Sequence, residues 1–117
     1  MEETGDFQEK RVFKRFPVHI PLTCCDNFGN LGYAETQDIS MGGVGITLNR
    51  GLPTGSIVEI FLQIPDNGQK IYRKATVIWS LNVTGKYRAG LKLKDSILNP
   101  IALALRTVNY QRRYSST

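Results

Sequence analysis

Apolar and polar residues alternate through most of residues 17–95, in short runs that turn residues interrupt. Alternation with a period of two places successive side chains on opposite faces of a strand. The clearest run is SIVEIFLQI, in which the apolar residues of one face are Val58, Ile60, Leu62 and Ile64. In KYRAGLKLKD, basic residues alternate with tyrosine, alanine and leucine in the same way. Both runs predict strands that are buried on one face.

Turn signals separate these runs. The segments DNFGN, NRGLPTG, PDNGQ and NVTG are rich in the residues of tight turns. About six short strands, with a turn signal every 8–12 residues, are typical of a small antiparallel barrel or sandwich. The pattern therefore predicts an all-β fold of one of these two kinds.

The periodicity changes near the C-terminus. Asn99 is a good helix N-cap, and Pro100 is well suited to the first helical position. Apolar residues then recur at i, i+4 and i+7, the spacing of one helix face, at Ile101, Leu105 and Val108. We expect a helix over about residues 99–111 whose apolar face covers the barrel.

Length and composition favour one domain. The chain has 117 residues, of which 41% are hydrophobic, enough for one modest core. We predict a flexible acidic tail at residues 1–9, a single domain at 10–112 with its barrel at about 17–95, and a tail at 113–117. No apolar run reaches the roughly 20 residues that span a bilayer, and the N-terminus is acidic and polar, unlike a signal peptide. We expect a cytoplasmic protein without membrane insertion.

Cysteine and histidine offer no metal site. Cys24 and Cys25 are adjacent, so they point to opposite faces of a strand, and a disulfide between neighbours would be strained. We expect one buried and one partly exposed thiol. His19 has no acidic or cysteine residue nearby in sequence and is expected to lie on a surface strand. Trp79 follows the apolar run ATVI and is expected in the core.

The net charge of +5 directs attention to the segment KRVFKR, directly before the first strand. Arg11 and Arg15 stand four residues apart in it. A guanidinium group is planar and always charged, and it can bind a phosphate or a guanine edge through two hydrogen bonds. Taken alone, a solvated basic arm is the simpler interpretation.

The segment DISMGG combines an acid, a hydroxyl and two glycines. Asp38 and Ser40 lie two residues apart and would project to the same side of a strand. A carboxylate can accept two hydrogen bonds from guanine, and a hydroxyl can add another. Gly42 and Gly43 allow a sharp turn and the close approach of a flat ligand. Taken alone, the segment is equally a capped turn with a bulge.

Together the two segments resemble the signature of the PilZ domain family, RxxxR followed along the chain by [D/N]xSxxG. Arg11-x-x-x-Arg15 and Asp38-x-Ser40-x-x-Gly43 match both halves. RFPVHIPL, GGVGITL and YRAGLKL are also similar to family sequences, and the resemblance covers roughly residues 9–112. Either motif alone is weak evidence, whereas the ordered pair is specific.

PilZ domains are bacterial receptors for cyclic di-GMP, a second messenger. The resemblance implies a six-stranded antiparallel split β-barrel with a C-terminal α-helix. It also implies that the arginines bind phosphates and guanine, that the acid and hydroxyl read a guanine edge, and that the last glycine permits the approach. The implied ligand-binding residues are Arg11, Arg15, Asp38, Ser40 and Gly43, with Lys10 and Gly42 as secondary candidates.

The expected function is that of a cyclic di-GMP receptor that signals by contacting an unidentified effector protein, since no output domain is apparent. The KRVFKR arm has few apolar anchors and closely spaced positive charges. We expect it to be movable without ligand and to fold over the barrel mouth when a ligand neutralises Arg11 and Arg15.

Two other functions stay open. One is a PilZ-like module that binds a partner protein but not cyclic di-GMP. The other is a basic β-barrel that binds nucleic acid through Phe13, Tyr72 and Tyr87. No strand interleaves aromatic and basic residues densely enough for base stacking, so nucleic acid is not expected. We find no nucleophile–base pair or phosphate loop, and therefore expect neither an enzyme nor a cofactor or metal.

Overall fold

The structure is a computed structural model that describes the backbone of residues 14–115 and the side chains of residues 14–108. The strands are β1 at Pro21–Cys25, β2 at Leu31–Ile39, β3 at Gly43–Leu48, β4 at Ile57–Gln63, β5 at Lys70–Val83 and β6 at Lys86–Leu93. They are followed by helix α1 at Pro100–Ser115.

The strands close into an antiparallel barrel with the order β1-β2-β3-β6-β5-β4. Four hairpin connections join consecutive strands that pair, and the β3–β6 and β1–β4 pairs complete the closure. This confirms the six-stranded antiparallel barrel with a C-terminal helix. Because each strand has a partner on both sides over much of its length, the barrel leaves few open strand edges.

The core is formed by alternate residues of the strands. The predicted inward residues of β4 are buried, and those of β6 are buried except Tyr87, which is partly buried. Both aliphatic residues of the lead-in to β1, Val18 and Ile20, are buried as well. Cys24 is buried and Cys25 partly exposed, as predicted. Burial raises the pKa of the Cys24 thiol to about 11, so this side chain behaves as a small apolar residue.

Helix α1 begins as predicted but presents a different face to the barrel. The Asn99 side chain accepts a hydrogen bond from the backbone N–H of Ala102 at 3.0 Å, which is the expected N-cap. Within residues 100–108 the buried side chains are Pro100, Leu103 and Thr107. The predicted packing face was wrong, because the whole of it is exposed: Ile101, Leu105 and Val108.

An ion pair on the flank of the helix helps to set this rotation. Arg106 donates through Nε and Nη2 to the two carboxylate oxygens of Asp66 in the β4–β5 turn, at 2.9 and 2.7 Å. The Thr107 hydroxyl donates to the carbonyl of Leu103, so its polar atom is satisfied inside the contact. Periodicity identified an apolar stripe but did not determine which side of the helix meets the barrel.

Residues 14–20 form an extended lead-in rather than part of the first strand. Phe16 and Ile39 exchange two backbone hydrogen bonds of 2.9 Å, which ties the lead-in to the end of β2. His19 is exposed as predicted, although it precedes β1 instead of lying on a strand. Among the described residues, no helix is both long enough and apolar enough to cross a membrane.

Candidate ligand-binding site

Arg15 and Asp38, one residue from each sequence motif, meet on the outer surface of the barrel. Nε and Nη2 of Arg15 donate to Oδ1 of Asp38 at 2.9 and 2.6 Å. The adjacent Phe16–Ile39 bridge brings the two chain segments together. Their side chains remain 50% and 32% exposed, so a ligand can reach both charged groups.

A β-bulge in β2 determines where Asp38 points. Thr36 is opposite Ile46 and fully buried, so strict alternation would send the side chain of Asp38 into the core as well. The register instead skips Gln37, and Asp38 lies opposite Gly45. The extra residue turns the carboxylate outward, a common use of bulges beside functional sites.

A second bulge in β5 does the same for Trp79. Val77 is buried opposite Leu91, whereas the register skips Ile78 and places Trp79 opposite Gly90. The indole is consequently on the outer surface and 38% exposed. The expectation that Trp79 lies in the core was wrong, because the bulge reverses the alternation after Val77.

Asp38 and Trp79 end a row of four residues on four neighbouring strands. Asp38 pairs with Gly45, Gly45 with Gly90, and Gly90 with Trp79. Since paired strands lie about 4.8 Å apart, the row spans about 14 Å. The sequence interpretation missed Gly45, Gly90 and Trp79, because only strand pairing makes them neighbours.

The two glycines of the row allow the side chains at its ends to lie against the sheet. A Cβ atom at Gly45 would be 2.9 Å from Oδ1 of Asp38, and one at Gly90 would be 2.2 Å from Nε1 of Trp79. The carboxylate and the indole can therefore occupy the space above adjacent strands. The result is a surface with a cation, an acceptor and an aromatic ring, which suits a flat, polar and anionic ligand.

The second half of the DISMGG motif builds the turn beneath this surface. Ser40 is only 2% exposed, and its backbone N–H and its hydroxyl donate to the carbonyl of Gly43 at 2.9 and 3.3 Å. A Cβ atom at Gly43 would be 2.9 Å from the carbonyl oxygen of Leu91, so close strand packing requires glycine there. The carbonyl of Gly42 accepts from the N–H of Leu93. Contacts of these three residues with a ligand stay a prediction.

The arm is already anchored at its C-terminal end. Arg15 pairs with Asp38, and Phe16, the residue after the arm, pairs with Ile39. Movement of the arm on ligand binding stays a prediction. Lys10 and Arg11 lie outside the described residues, and their predicted contacts remain predictions.

Two of the three aromatic residues proposed for nucleic-acid binding, Tyr72 and Tyr87, do not form one platform. The Tyr72 hydroxyl donates to Oε2 of Glu59 at 2.6 Å, a bond that raises the pKa of Tyr72. Tyr87 is partly buried and packs against Gly51 and the core, while Phe13 is outside the described residues. Base stacking needs exposed rings along one groove, which Tyr72 and Tyr87 do not provide.

We expect Gly90→Ala to displace the Trp79 ring. The added methyl group would lie 2.2 Å from Nε1, far inside van der Waals contact, so the indole must rotate away from the sheet. Trp79 is the only tryptophan, and its fluorescence emission should shift to longer wavelength as its exposure increases. The matched variant Gly51→Ala, which crowds the ring of Tyr87 instead, should leave the emission maximum unchanged. An unchanged spectrum in Gly90→Ala would contradict the close packing of Trp79 on Gly90.

The chain is similar to a known protein family. The PilZ domain family model matches residues 9–106. No curated protein matches the sequence significantly.

Solved structures share the fold at low sequence identity. The Bacillus subtilis inhibitor of motility, MotI/DgrA, is 18% identical and aligns over 90% of this chain and 53% of its own, with a TM-score of 0.63. This chain thus spans about half the length of that protein. The PilZ domain of Escherichia coli YcgR, solved with c-di-GMP, is 15% identical over 92% of this chain and 95% of its own, with a TM-score of 0.59.

A longer Escherichia coli YcgR chain in complex with c-di-GMP is 18% identical over 92% of this chain and 48% of its own, with a TM-score of 0.61. At these identities the structural likeness is one of fold. The family model, in contrast, spans most of the sequence and includes both motifs. This chain belongs to the PilZ domain family.

Proposed function

We propose that this protein is a bacterial, cytoplasmic receptor for cyclic di-GMP that signals by changing its interaction with a partner protein. The observation that carries the proposal is the exposed Arg15–Asp38 pair at one end of the row that contains Gly45, Gly90 and Trp79. Cyclic di-GMP has two phosphates and two guanine bases. Its chemistry therefore matches a site that combines a cation, a hydrogen-bond acceptor and an aromatic ring.

The ion pair can be exchanged for ligand contacts at low cost. A phosphate or a guanine edge takes the guanidinium of Arg15, and the released carboxylate of Asp38 accepts from N1–H and the N2 amino group of a guanine. An exposed ion pair contributes only about 0–1 kcal/mol, because both groups are well solvated when apart. Charge-assisted hydrogen bonds to the ligand more than replace it.

Trp79 adds binding energy that does not depend on charge. Its ring lies over Gly90, which pairs with Gly45, and the carboxylate of Asp38 lies over Gly45. Stacking of a base on an aromatic side chain contributes about 1–3 kcal/mol. We infer that one guanine lies between the carboxylate and the indole, above the two glycines.

Two further facts support the proposal. Both family motifs are intact in the sequence, with Arg11, Ser40 and Gly43 completing them. Two solved structures with the same fold, both of Escherichia coli YcgR, contain c-di-GMP. Arg11 and Lys10 would add positive charge to the same ligand.

Calorimetry with four ligands tests the proposal. Cyclic di-GMP should bind with a Kd in the micromolar range, on the order of −8 kcal/mol. GTP and cyclic GMP should bind at least about tenfold more weakly, because neither presents two guanines and two bridging phosphates. The fourth ligand is a short single-stranded DNA, which should bind more weakly than cyclic di-GMP at physiological salt.

Two outcomes would reject the proposal that this protein is a cyclic di-GMP receptor. One is an absence of both heat and thermal shift when cyclic di-GMP is added to folded protein. The other is stronger binding of the DNA with a steep dependence on salt, since release of counterions from phosphates is the mark of nucleic-acid binding.

A further inference from the structure

Strand β5 extends well beyond the strand beside it. It has 14 residues, whereas β4 has 7, and the pairing between them ends at Ile57 opposite Thr76. Val77 is still bonded to the backbone of Gly55 and Ser56. Trp79–Val83 pairs with β6 on one side. Across residues 14–115, Ile78–Val83 pairs with no strand on the other side. We call this second side the open edge.

The open edge carries backbone groups that can pair with an additional strand. Thr84 and Gly85 both have positive φ, 48° and 86°, as in the two-residue turns that close hairpins. In such a hairpin the closing residues, Val83 and Lys86, exchange hydrogen bonds, and bonded pairs then alternate along the ladder. Ser80 and Asn82 belong to the non-bonded pairs, so their N–H and C=O groups point to the open edge.

The side chains next to this edge are unusually apolar for a protein surface. Ile78, Leu81 and Val83 are all exposed. Natural proteins protect edge strands with charges, prolines or short length, because an apolar edge invites pairing. Residues 78–83 contain neither a charged residue nor a proline.

The neighbouring strand, β6, contains basic residues and no acidic residue. Leu81 is opposite Arg88 and Val83 opposite Lys86, and both basic residues are exposed. Residues 77–93 contain no acidic residue. A strand added at the open edge would lie about 10 Å from β6, within the reach of long basic side chains whose stems cover Leu81 and Val83.

We propose that the open edge and the outer face of the β5–β6 hairpin bind an acidic, strand-forming segment of a partner protein. Backbone pairing with Ser80 and Asn82 would give affinity, and the apolar and basic side chains would select alternating apolar and acidic residues. A second copy of this chain fits less well, since it would bring two sets of Lys86 and Arg88 together. Nucleic acid fits less well because it would bury the three apolar side chains against phosphate and sugar.

The docking surface adjoins the candidate ligand site. Trp79 ends the row that begins at Asp38, and Ser80 follows it directly on the open edge. A ligand that moves or covers the indole would change the start of the docking surface. The inference thus deepens the proposed function by locating the partner, and it depends on that function only for this coupling.

A designed peptide tests the surface without knowledge of the partner. The probe is an octapeptide in which glutamate alternates with valine, titrated in the absence of cyclic di-GMP. Amide exchange should show new protection of Ser80 and Asn82 but no gain at Leu81 and Val83, whose amides already bond to β6. The corresponding lysine–valine peptide should bind at least about tenfold more weakly, because its charges meet Lys86 and Arg88.

Matched variants distinguish binding at this surface from non-specific hydrophobic binding. Leu81→Glu should weaken binding of the acidic peptide about tenfold or more, through loss of apolar contact and repulsion between carboxylates. Leu105→Glu is the control, since Leu105 on helix α1 has the same exposure of 58% as Leu81. Equal effects of the two variants, or unchanged exchange at Ser80 and Asn82 with about 1 mM peptide, would overturn the inference. If the peptide binds and cyclic di-GMP does not, the proposed receptor function is rejected and the docking surface stands. If cyclic di-GMP binds and the peptide does not, the docking surface is rejected and the receptor function stands.

Discussion

Arg15→Ala is expected to weaken cyclic di-GMP binding about 100-fold, or about 2.7 kcal/mol, while the barrel stays folded. The guanidinium would make at least one pair of charge-assisted hydrogen bonds to the ligand, each with a net contribution of about 1.5–3 kcal/mol. Among the side chains of residues 14–108, Arg15 bonds to Asp38, and its own side chain is 50% exposed. Loss of an exposed pair should therefore change the free energy of unfolding by less than about 1 kcal/mol.

The neighbouring Lys14→Ala is the matched control. Lys14 is exposed, and its replacement by alanine removes the same positive charge one residue away from Arg15. If net charge alone attracted the ligand, both variants would lose affinity equally, whereas the proposed site predicts a much larger loss for Arg15→Ala. Calorimetry gives the affinity and thermal unfolding the stability of each variant.

Asp38→Ala distinguishes a ligand contact from a structural pair. The substitution removes the guanine acceptor and should cost about 1–3 kcal/mol of binding. It should leave the melting temperature nearly unchanged. A lower melting temperature with unchanged affinity in either variant would mean that Arg15 and Asp38 only fasten the lead-in to β2.

Thr36→Val is expected to lower the free energy of unfolding by about 3 kcal/mol, because two buried backbone groups lose their partner at about 1–3 kcal/mol each. The Thr36 hydroxyl accepts from the N–H of Ile20 at 2.8 Å and donates to the carbonyl of Val18. Thr36 is fully buried, so water does not replace these bonds. Valine has nearly the same shape, which confines the change to the hydroxyl.

Thr36→Ser is the control, because serine keeps the hydroxyl and loses a methyl group. Its cost should be near 1 kcal/mol, the contribution of one buried methyl group. Denaturant unfolding monitored at Trp79 measures both variants. Equal destabilisation by valine and serine would show that packing of the methyl group, and not the hydroxyl bridge, makes Thr36 important.

The sequence by itself determined the strands, the turns and the start of the helix, because these depend on local pattern. Alternation of Val58, Ile60 and Leu62 requires one buried strand face wherever the strand is placed. Asn99 and Pro100 favour a helix start without help from the rest of the fold. The two motifs, taken in order, also sufficed to identify the family.

Only the tertiary structure decided which of these side chains form a site. Strict alternation would bury Asp38 beside Thr36 and Trp79 beside Val77, and one extra residue in each strand turns them outward. A bulge is defined by how a strand pairs with its neighbour, so the pattern of apolar and polar residues within one strand does not reveal it. Gly45 and Gly90 became part of the site through the same pairing.

The rotation of helix α1 and the burial of Ser40 also depended on distant contacts. The apolar stripe that contains Leu105 faces outward because the Arg106–Asp66 pair and the buried Leu103 and Thr107 hold the opposite side against the barrel. The hydroxyl of Ser40 turns to the carbonyl of Gly43 instead of following Asp38 to the surface. Local pattern specifies which residues are apolar or polar, whereas the partners that bury or expose them come from chain segments many residues away.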